Sequence, residues 1–230
     1  MKNILLWTSL TPESLPTARY AAELTKHIGG RLILFHAFHP AALPEENRHM
    51  GRIDYERLVQ DRMDALAREL HQHYRISISR LLKPGFAEDE LLLVAQRTKA
   101  DLILSSATDC QTLVETVTLR TPLLSVPTHV VFQPFQQIRL TGTGAEETEM
   151  DHLLAYLGVL SPAASFTRGE VPALAQPEEI TVLPLPSAGA PAPKRSFSLY
   201  LNETALLLFL PGRDQLHQTA EALAPQLTGS

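Results

Sequence analysis

The sequence is poor in the residues that build several common kinds of site. Its single cysteine, Cys110, excludes an internal disulfide and a zinc site made of cysteines. Basic residues are fewer than acidic ones, 20 against 25, and they are spread along the chain rather than clustered. Binding to nucleic acid or to an anionic membrane needs a basic patch. We therefore expect neither nucleic acid nor membrane among the partners.

Long apolar runs are also missing. The longest, residues 205–210, is far shorter than the roughly 18 apolar residues of a membrane-spanning helix. Near the start, the apolar run at residues 4–7 gives way at once to Thr8 and Ser9, so it is too short for the core of a secretory signal. The sequence therefore predicts a cytoplasmic protein.

Strand-like and helix-like segments alternate through the first half of the chain. Apolar runs at residues 3–8, 31–38, 76–79, 101–105 and 123–126 are separated by helical patterns at 12–28, 53–70, 88–98 and 111–119. Strands separated by helices are joined by right-handed crossovers, which give a parallel sheet covered on both faces. Residues 1–132 are predicted to form an α/β domain with an open, parallel, five-stranded sheet.

The same pattern begins again after residue 132 and then degrades. A strand at 137–141, a Gly-Thr-Gly turn, a helix at 146–157 and a strand at 165–168 repeat the opening of the first domain. Beyond residue 170 we predict strands at 180–185, 197–202 and 205–210 and a helix at 214–223, with a proline-rich loop at 184–194. We interpret residues 133–230 as a smaller, degenerate α/β repeat.

Two stretches carry a resemblance to a known family. KNILLWTSLTPESLPTARYAAELTKHIGGRLILFHAFHP resembles the opening of universal stress proteins, in which a first strand, a T-D-x-S-P-x-S turn, an Ala-rich helix and an LLHV strand follow in order. KPGFAEDELLLVAQRTKADLIL is similar to the family's glycine turn, third helix and ADLIVMG strand. The resemblance covers residues 2–127. It implies a Rossmann-like fold, a role in stress response and a tandem arrangement with a degenerate second domain.

The resemblance also implies how the chain assembles. Universal stress proteins typically dimerise by pairing their last strands, and that strand is short, apolar and ended by a proline here. We expect a homodimer, or an intramolecular pseudo-dimer of the two halves, through an edge made by Leu123, Leu124 and Val126.

The sequence departs from the family where nucleotide-binding members hold their ligand. Their first strand ends in an aspartate, and Ser9 stands at that position. Their fourth strand is followed by Gly-x-x-Gly, a nine-residue spacer and Gly-Ser or Gly-Thr, but residues 106–111 read Ser-Ala-Thr-Asp-Cys-Gln. Residues with a Cβ pay roughly 1–2 kcal/mol for the left-handed conformation that such a phosphate cradle needs. We therefore expect a degenerate nucleotide site that does not bind ATP.

Other reactive side chains favour structural roles. Cys110 lies near the start of a predicted helix, where a thiolate is stabilised, but an adjacent aspartate opposes this effect. We interpret Cys110 as an unreactive thiol, with a redox sensor as the less favoured alternative. The spacings of His36 and His39, and of His71 and His73, are not those of metal ligands, so we expect no metal.

The favoured interpretation is a non-catalytic binding or regulatory protein that uses no cofactor. Its ligand is an unidentified protein partner or small molecule. The serines after the fourth predicted strand lack a GxSxG elbow, so the sequence predicts no enzyme. The alternative is a sensor of ATP or AMP, or a slow ATPase, that holds the nucleotide with Thr8, Ser9, Ala37, Ser106 and Thr108.

Overall fold

The chain divides into two compact units. The computed structural model describes residues 2–39, 47, 49–107, 109 and 121–134, and the backbone of five later strands. The first unit comprises Met1–Val117 and Leu123–Phe132, and the second comprises Thr118–Pro122 and Gln133–Ser230. Within the described residues, no helix combines the length and the apolar character needed to span a bilayer.

The first unit is an α/β domain. A short 3-10 helix, Pro12–Ser14, follows the first strand. In chain order the main elements are β1 (Asn3–Trp7), α1 (Leu15–His27), β2 (Arg31–Phe38), α2 (Arg52–Tyr74), β3 (Ser77–Pro84), α3 (Ala87–Arg97), β4 (Leu102–Ser106) and β5 (Leu123–Val126). The strand order is β3-β2-β1-β4-β5, and all neighbours are parallel. The predicted five-stranded parallel sheet is confirmed, whereas the predicted helix at 111–119 lies outside the described residues.

The central strands supply the core of this unit. Leu5 in β1, Leu34 in β2 and Leu104 in β4 are completely buried. Both faces of a parallel sheet are covered by helices, so its inner strands are apolar throughout rather than alternating. Strand β3 lies at the end of the strand order and is half-exposed along its length. This difference explains why β1, β2 and β4 are visible in the sequence as continuous apolar runs.

Helix α2 ends in a residue with left-handed backbone geometry. Arg75 has φ 59° and ψ 35°, and its N–H donates to the carbonyl of His71 at 2.9 Å. Glycine usually occupies this position in a helix C-cap because it has no Cβ to clash. Because the Arg75 side chain is exposed, its removal loses no core packing.

We expect Arg75→Gly to raise the free energy of unfolding by about 0.5–1 kcal/mol. Urea unfolding followed by Trp7 fluorescence measures it, since Trp7 is the single tryptophan and lies in β1. The matched control is Arg97→Gly, which places glycine in the last turn of α3 and should destabilise by up to about 1 kcal/mol. A stability of Arg75→Gly equal to or below that of the wild type would contradict the account.

The second unit contains a sheet of mixed direction. Its strands are β6 (Gln137–Leu140), β7 (Ser165–Arg168), β8 (Glu179–Pro184), β9 (Arg195–Leu201) and β10 (Thr204–Leu210), in the order β10-β9-β8-β6-β7. β6 pairs in parallel with β7 and β8, as a βαβ repeat requires.

β9 pairs antiparallel with both β8 and β10, which the proposed repeat did not anticipate. Only two residues separate β9 from β10, too few for a crossover, so the pair must form a hairpin. The predicted helices at 146–157 and 214–223 and the loop 184–194 lie outside the described residues. The degenerate second domain, with its boundary at residue 132, stays a prediction.

Candidate functional site

The candidate site lies at the carboxyl ends of β1 and β4. These strands are neighbours in the sheet although β2 and β3 separate them in the chain. In open parallel sheets, ligands bind in the crevice at such a reversal of strand order. Thr8 and Ser9 follow β1, Ala37 is next to last in β2, and Ser106 ends β4. Four of the five predicted residues thus share this edge, and the fifth, Thr108, lies outside the described residues.

Thr8 shapes the turn that follows β1. Its hydroxyl donates to the Ser14 hydroxyl at 2.9 Å and accepts from the Leu10 N–H at 3.1 Å. The Ser14 hydroxyl in turn donates to the carbonyl of Thr11 at 2.8 Å. Thr8 is 1% exposed. Its hydroxyl is therefore committed to the protein's own structure rather than open to a ligand.

Ser9 and Leu10 form the outer part of this turn. The Ser9 hydroxyl is half-exposed and lies 3.2 Å from the Thr11 hydroxyl. Leu10 adopts a left-handed backbone with φ 58°, and its side chain packs against the buried cluster of Phe38, Tyr55 and Val59. That packing offsets the cost of placing leucine in this conformation. Ser9 is consequently the candidate hydroxyl that remains accessible.

His36, in β2, is buried with one free ring nitrogen. Its Nδ1 lies 2.8 Å from the Thr8 carbonyl, which can only accept, so Nδ1 carries the hydrogen. Within the described part of the chain, Nε2 has no hydrogen-bond partner. Burial lowers the pKa of His36 from its ordinary value, while the Thr8 carbonyl and the charge of Asp109 act in the opposite direction. The imidazole is therefore neutral at pH 7, with Nε2 as a hydrogen-bond acceptor.

Asp109 brings a carboxylate to the same edge. Its main-chain N–H donates to the Ser106 hydroxyl at 3.1 Å, so Ser106, like Thr8, is used in a local turn. The Asp109 Oδ2 atom is buried and has no partner among the described residues, and the same holds for the hydroxyl of Ser105 in β4. The edge thus carries a negative charge beside the Ser105 hydroxyl, which can donate or accept.

The described backbone after β4 offers no cradle for phosphate. A main-chain anion nest needs a residue in the left-handed region next to a right-handed one. Among residues 102–107 and 109, none has a positive φ. The positive-φ residues that the structure describes are Leu10, Gly29, Arg75, Gly85 and Lys99, of which Leu10 alone is at the site.

The sequence reasoning identified Asp109 as repelling phosphate but missed its combination with His36 and Ser105. A signal was present, because His36 interrupts the apolar run LILFHAF and Ser105 ends the apolar run LIL. Buried polar side chains inside such runs are uncommon and call for an explanation. What no sequence pattern shows is that their polar atoms lack partners.

Comparison with known proteins decides the family. The model of the universal stress protein family matches residues 1–117, just over half of the chain. The chain belongs to the universal stress protein family. The family assignment made from the sequence is therefore confirmed, while the tandem arrangement beyond the match stays a prediction. No curated protein matches the chain.

Solved universal stress protein structures share the fold. One from Archaeoglobus fulgidus DSM 4304 is 12% identical, with a TM-score of 0.51, over 72% of this chain and 64% of that one. A family member from Burkholderia pseudomallei is 16% identical, with a TM-score of 0.45, over 55% of this chain and 96% of that one. A universal stress protein in complex with cAMP is 16% identical, with a TM-score of 0.43, over 55% of this chain and 97% of that one.

The remaining predicted site residues are placed as follows. Leu123, Leu124 and Val126 form β5, the last strand in the order of the first unit, and their side chains are at most 2% exposed. Cys110 lies outside the described residues. Across the described ranges, no group of three or more histidine, cysteine, aspartate or glutamate side chains is placed to hold a metal ion.

Proposed function

We propose that this chain is a non-catalytic binding or regulatory member of the universal stress protein family whose carboxyl-edge crevice does not hold ATP. The observation that carries the proposal is the buried carboxylate oxygen of Asp109, just after β4, which has no hydrogen-bond partner among the described residues. A polyphosphate entering between β1 and β4 would meet this negative charge.

The size of this repulsion is sufficient to matter. Two like charges 4 Å apart cost about 4 kcal/mol at an effective dielectric constant of about 20. Each 1.4 kcal/mol weakens binding about tenfold, so the full cost moves a micromolar site to the millimolar range. The hydroxyl hydrogen of Thr8 is used in its bond to Ser14 and supplies no compensating donor, whereas the hydroxyl of Ser106 accepts a bond and keeps its own hydrogen.

Calorimetric titration with ATP, ADP, AMP and cyclic AMP tests the proposal, and we expect no saturable binding below about 100 μM. Asp109→Ser removes the charge and should strengthen any weak ATP binding. The control Asp89→Asn removes an exposed carboxylate from α3 and should change nothing. Saturable ATP or AMP binding by the wild type below about 100 μM would instead favour a nucleotide sensor or slow ATPase built on Thr8, Ser9, Ala37 and Ser106.

The arrangement of the hydroxyls supports the non-catalytic part of the proposal. A serine nucleophile needs a base within hydrogen-bond reach. His36 Nδ1 is bonded to the Thr8 carbonyl, and Nε2 reaches no hydroxyl among the described residues. The Ser106 hydroxyl accepts the Asp109 N–H. These contacts hold the turns around the crevice and activate no nucleophile.

The proposed assembly is a homodimer, or an intramolecular pseudo-dimer, through β5. Because the side chains of Leu123, Leu124 and Val126 are buried, such an edge would pair through main-chain groups. Light scattering should give a molar mass of twice 25.4 kDa for a homodimer and of 25.4 kDa for intramolecular pairing. In both cases we expect slow hydrogen exchange for the β5 amides that face away from β4. Rapid exchange of those amides would contradict pairing at this edge.

A further inference from the structure

A groove runs between α1 and α2 at their C-terminal ends. Two depressions, of about 480 and 290 Å³, have described lining residues from both helices, a third of about 530 Å³ is lined by α2 residues, and His73 lines all three. The depression of about 480 Å³ has the most aromatic lining. It is bounded by Glu23, Lys26, His27, His73, Tyr74 and Phe132. Helices in a parallel α/β domain run opposite to the strands, so the groove lies at the amino edge of the sheet. It is separate from the crevice at Thr8.

One end of the groove has an aromatic wall. The Phe132 ring packs edge-on against Tyr20, with centroids 5.4 Å apart, and lies 5.6 Å from the ring of His27. Phe132 is half-buried, whereas Tyr20 beneath it is 2% exposed. On α2, the rings of the neighbouring residues His73 and Tyr74 pack edge-on, with centroids 4.7 Å apart. The groove therefore offers a flat apolar surface that is held in place from behind.

The carboxylates of the groove already have partners. Glu69 forms an ion pair with Arg19 at 3.1 Å, and Glu23 accepts a hydrogen bond from the Tyr74 hydroxyl at 3.3 Å. Both acidic side chains that line the groove are thus engaged within the protein.

Arg19 is paired with Glu69, but three other bases of the groove have no acidic partner among the described residues. In the part of the chain that the structure describes, Lys26, His73 and Arg68 form no ion pair, and Arg68 bonds only the Asp64 carbonyl of its own helix. The helix dipoles favour bases at these C-terminal ends, which explains their presence and leaves their N–H groups free to bind. Among the described residues, Lys26 and Arg68 against Glu23 leave one more unpaired positive than negative charge in the groove, although the chain carries a net charge of −5.

We propose that this groove binds a small aromatic carboxylate, with its ring against Phe132 and its anionic group between Lys26 and His73. The volume of the aromatic end is within the range of about 300–1,000 Å³ that is typical of small-molecule sites. An apolar wall with a few convergent polar groups is the usual composition of such sites. The site does not depend on what the carboxyl edge binds.

Titration of the full-length protein with naphthalene-2-carboxylate, followed by amide NMR, tests the proposal. We expect saturable shifts at Lys26, His73 and Phe132 with submillimolar affinity. The cationic analogue naphthalen-2-ylmethylammonium should bind at least tenfold more weakly, because it is repelled by the same bases. The compound pair separates recognition of the charge from stacking of the ring.

Variants test which side chains hold the ligand. Lys26→Gln combined with His73→Gln should weaken carboxylate binding at least tenfold, and Phe132→Leu at least threefold. The control Arg97→Gln removes an exposed base from the last turn of α3, away from the groove, and should leave the affinity unchanged. Lys26 and His73 are exposed, so the double variant keeps the fold even if Phe132→Leu does not. Equal binding of the two compounds, unchanged affinity in the double variant, or binding only above about 10 mM would overturn the proposal.

Discussion

Replacing Leu104 by alanine is expected to lower the free energy of unfolding of the first unit by about 2–5 kcal/mol. Leu104 is completely buried in β4 and pairs with Leu6 of β1 on one side and Leu124 of β5 on the other. The truncation loses transfer free energy and leaves a cavity that neighbouring strands cannot fill. A domain is stable by only about 5–15 kcal/mol, so a large part of the stability is lost.

Urea unfolding monitored by Trp7 fluorescence measures this effect in the first unit alone, because β1 holds the single tryptophan. The matched control is Leu93→Ala on α3. Leu93 is 46% exposed, so the same truncation should cost less than about 1 kcal/mol. A loss for Leu104→Ala no greater than that for Leu93→Ala would show that β4 is not at the centre of the core.

Acid is expected to destabilise the first unit through His36. Burial lowers the pKa of His36 in the folded state, whereas an unfolded histidine titrates near its ordinary value of 6.5. Above that pH His36 is neutral in both the folded and the unfolded state, and its protonation takes nothing from the free energy of unfolding. As the pH falls below 6.5 the unfolded state binds the proton first, so stability is lost until the folded pKa is reached. The loss approaches about 1.4 kcal/mol for each pH unit in this window.

His36→Asn separates this effect from other titrations. The asparagine side-chain N–H₂ can replace Nδ1–H as donor to the Thr8 carbonyl, but it does not take up a proton. The variant should therefore show a flatter dependence of unfolding free energy on pH between 7.5 and 5, measured with Trp7 fluorescence. Asp109→Asn should steepen the dependence, because the Asp109 charge favours the protonated imidazole. Identical slopes for wild type and His36→Asn would contradict the assignment.

The fold was largely predictable, and the discrepancies have structural causes. The strand predicted at 76–79 extends from Ser77 to Pro84, because all eight residues pair with β2. Residues 80–84 are half-exposed or exposed and show no alternation of apolar and polar residues, so the sequence pattern does not indicate that the strand continues. Helix α2, predicted to end at residue 70, continues to Tyr74, which is 9% exposed. Its last turn reads HQHY, which lacks the aliphatic residues by which helical periodicity is recognised.

The site was predictable in location but not in chemistry. Parallel topology brings Thr8, Ser9 and Ser106 to one edge, and the order of strands and helices was sufficient to predict this. Which hydroxyls are free depends on hydrogen bonds across several elements, such as the Thr8 to Ser14 bond. The groove between α1 and α2 depends on contacts between residues far apart in the chain, such as Arg19 and Glu69, so no local pattern indicates it.

Titration with MgATP to 5 mM, followed through the amide resonances of Thr8, Ser106 and Asp109, tests the central claim most directly. The negative charge of Asp109 at the carboxyl edge predicts no saturable shift of these three amides below the millimolar range. Saturation of the same shifts at or below about 100 μM would contradict the account, since it would place a nucleotide in the crevice that Asp109 is proposed to close to phosphate.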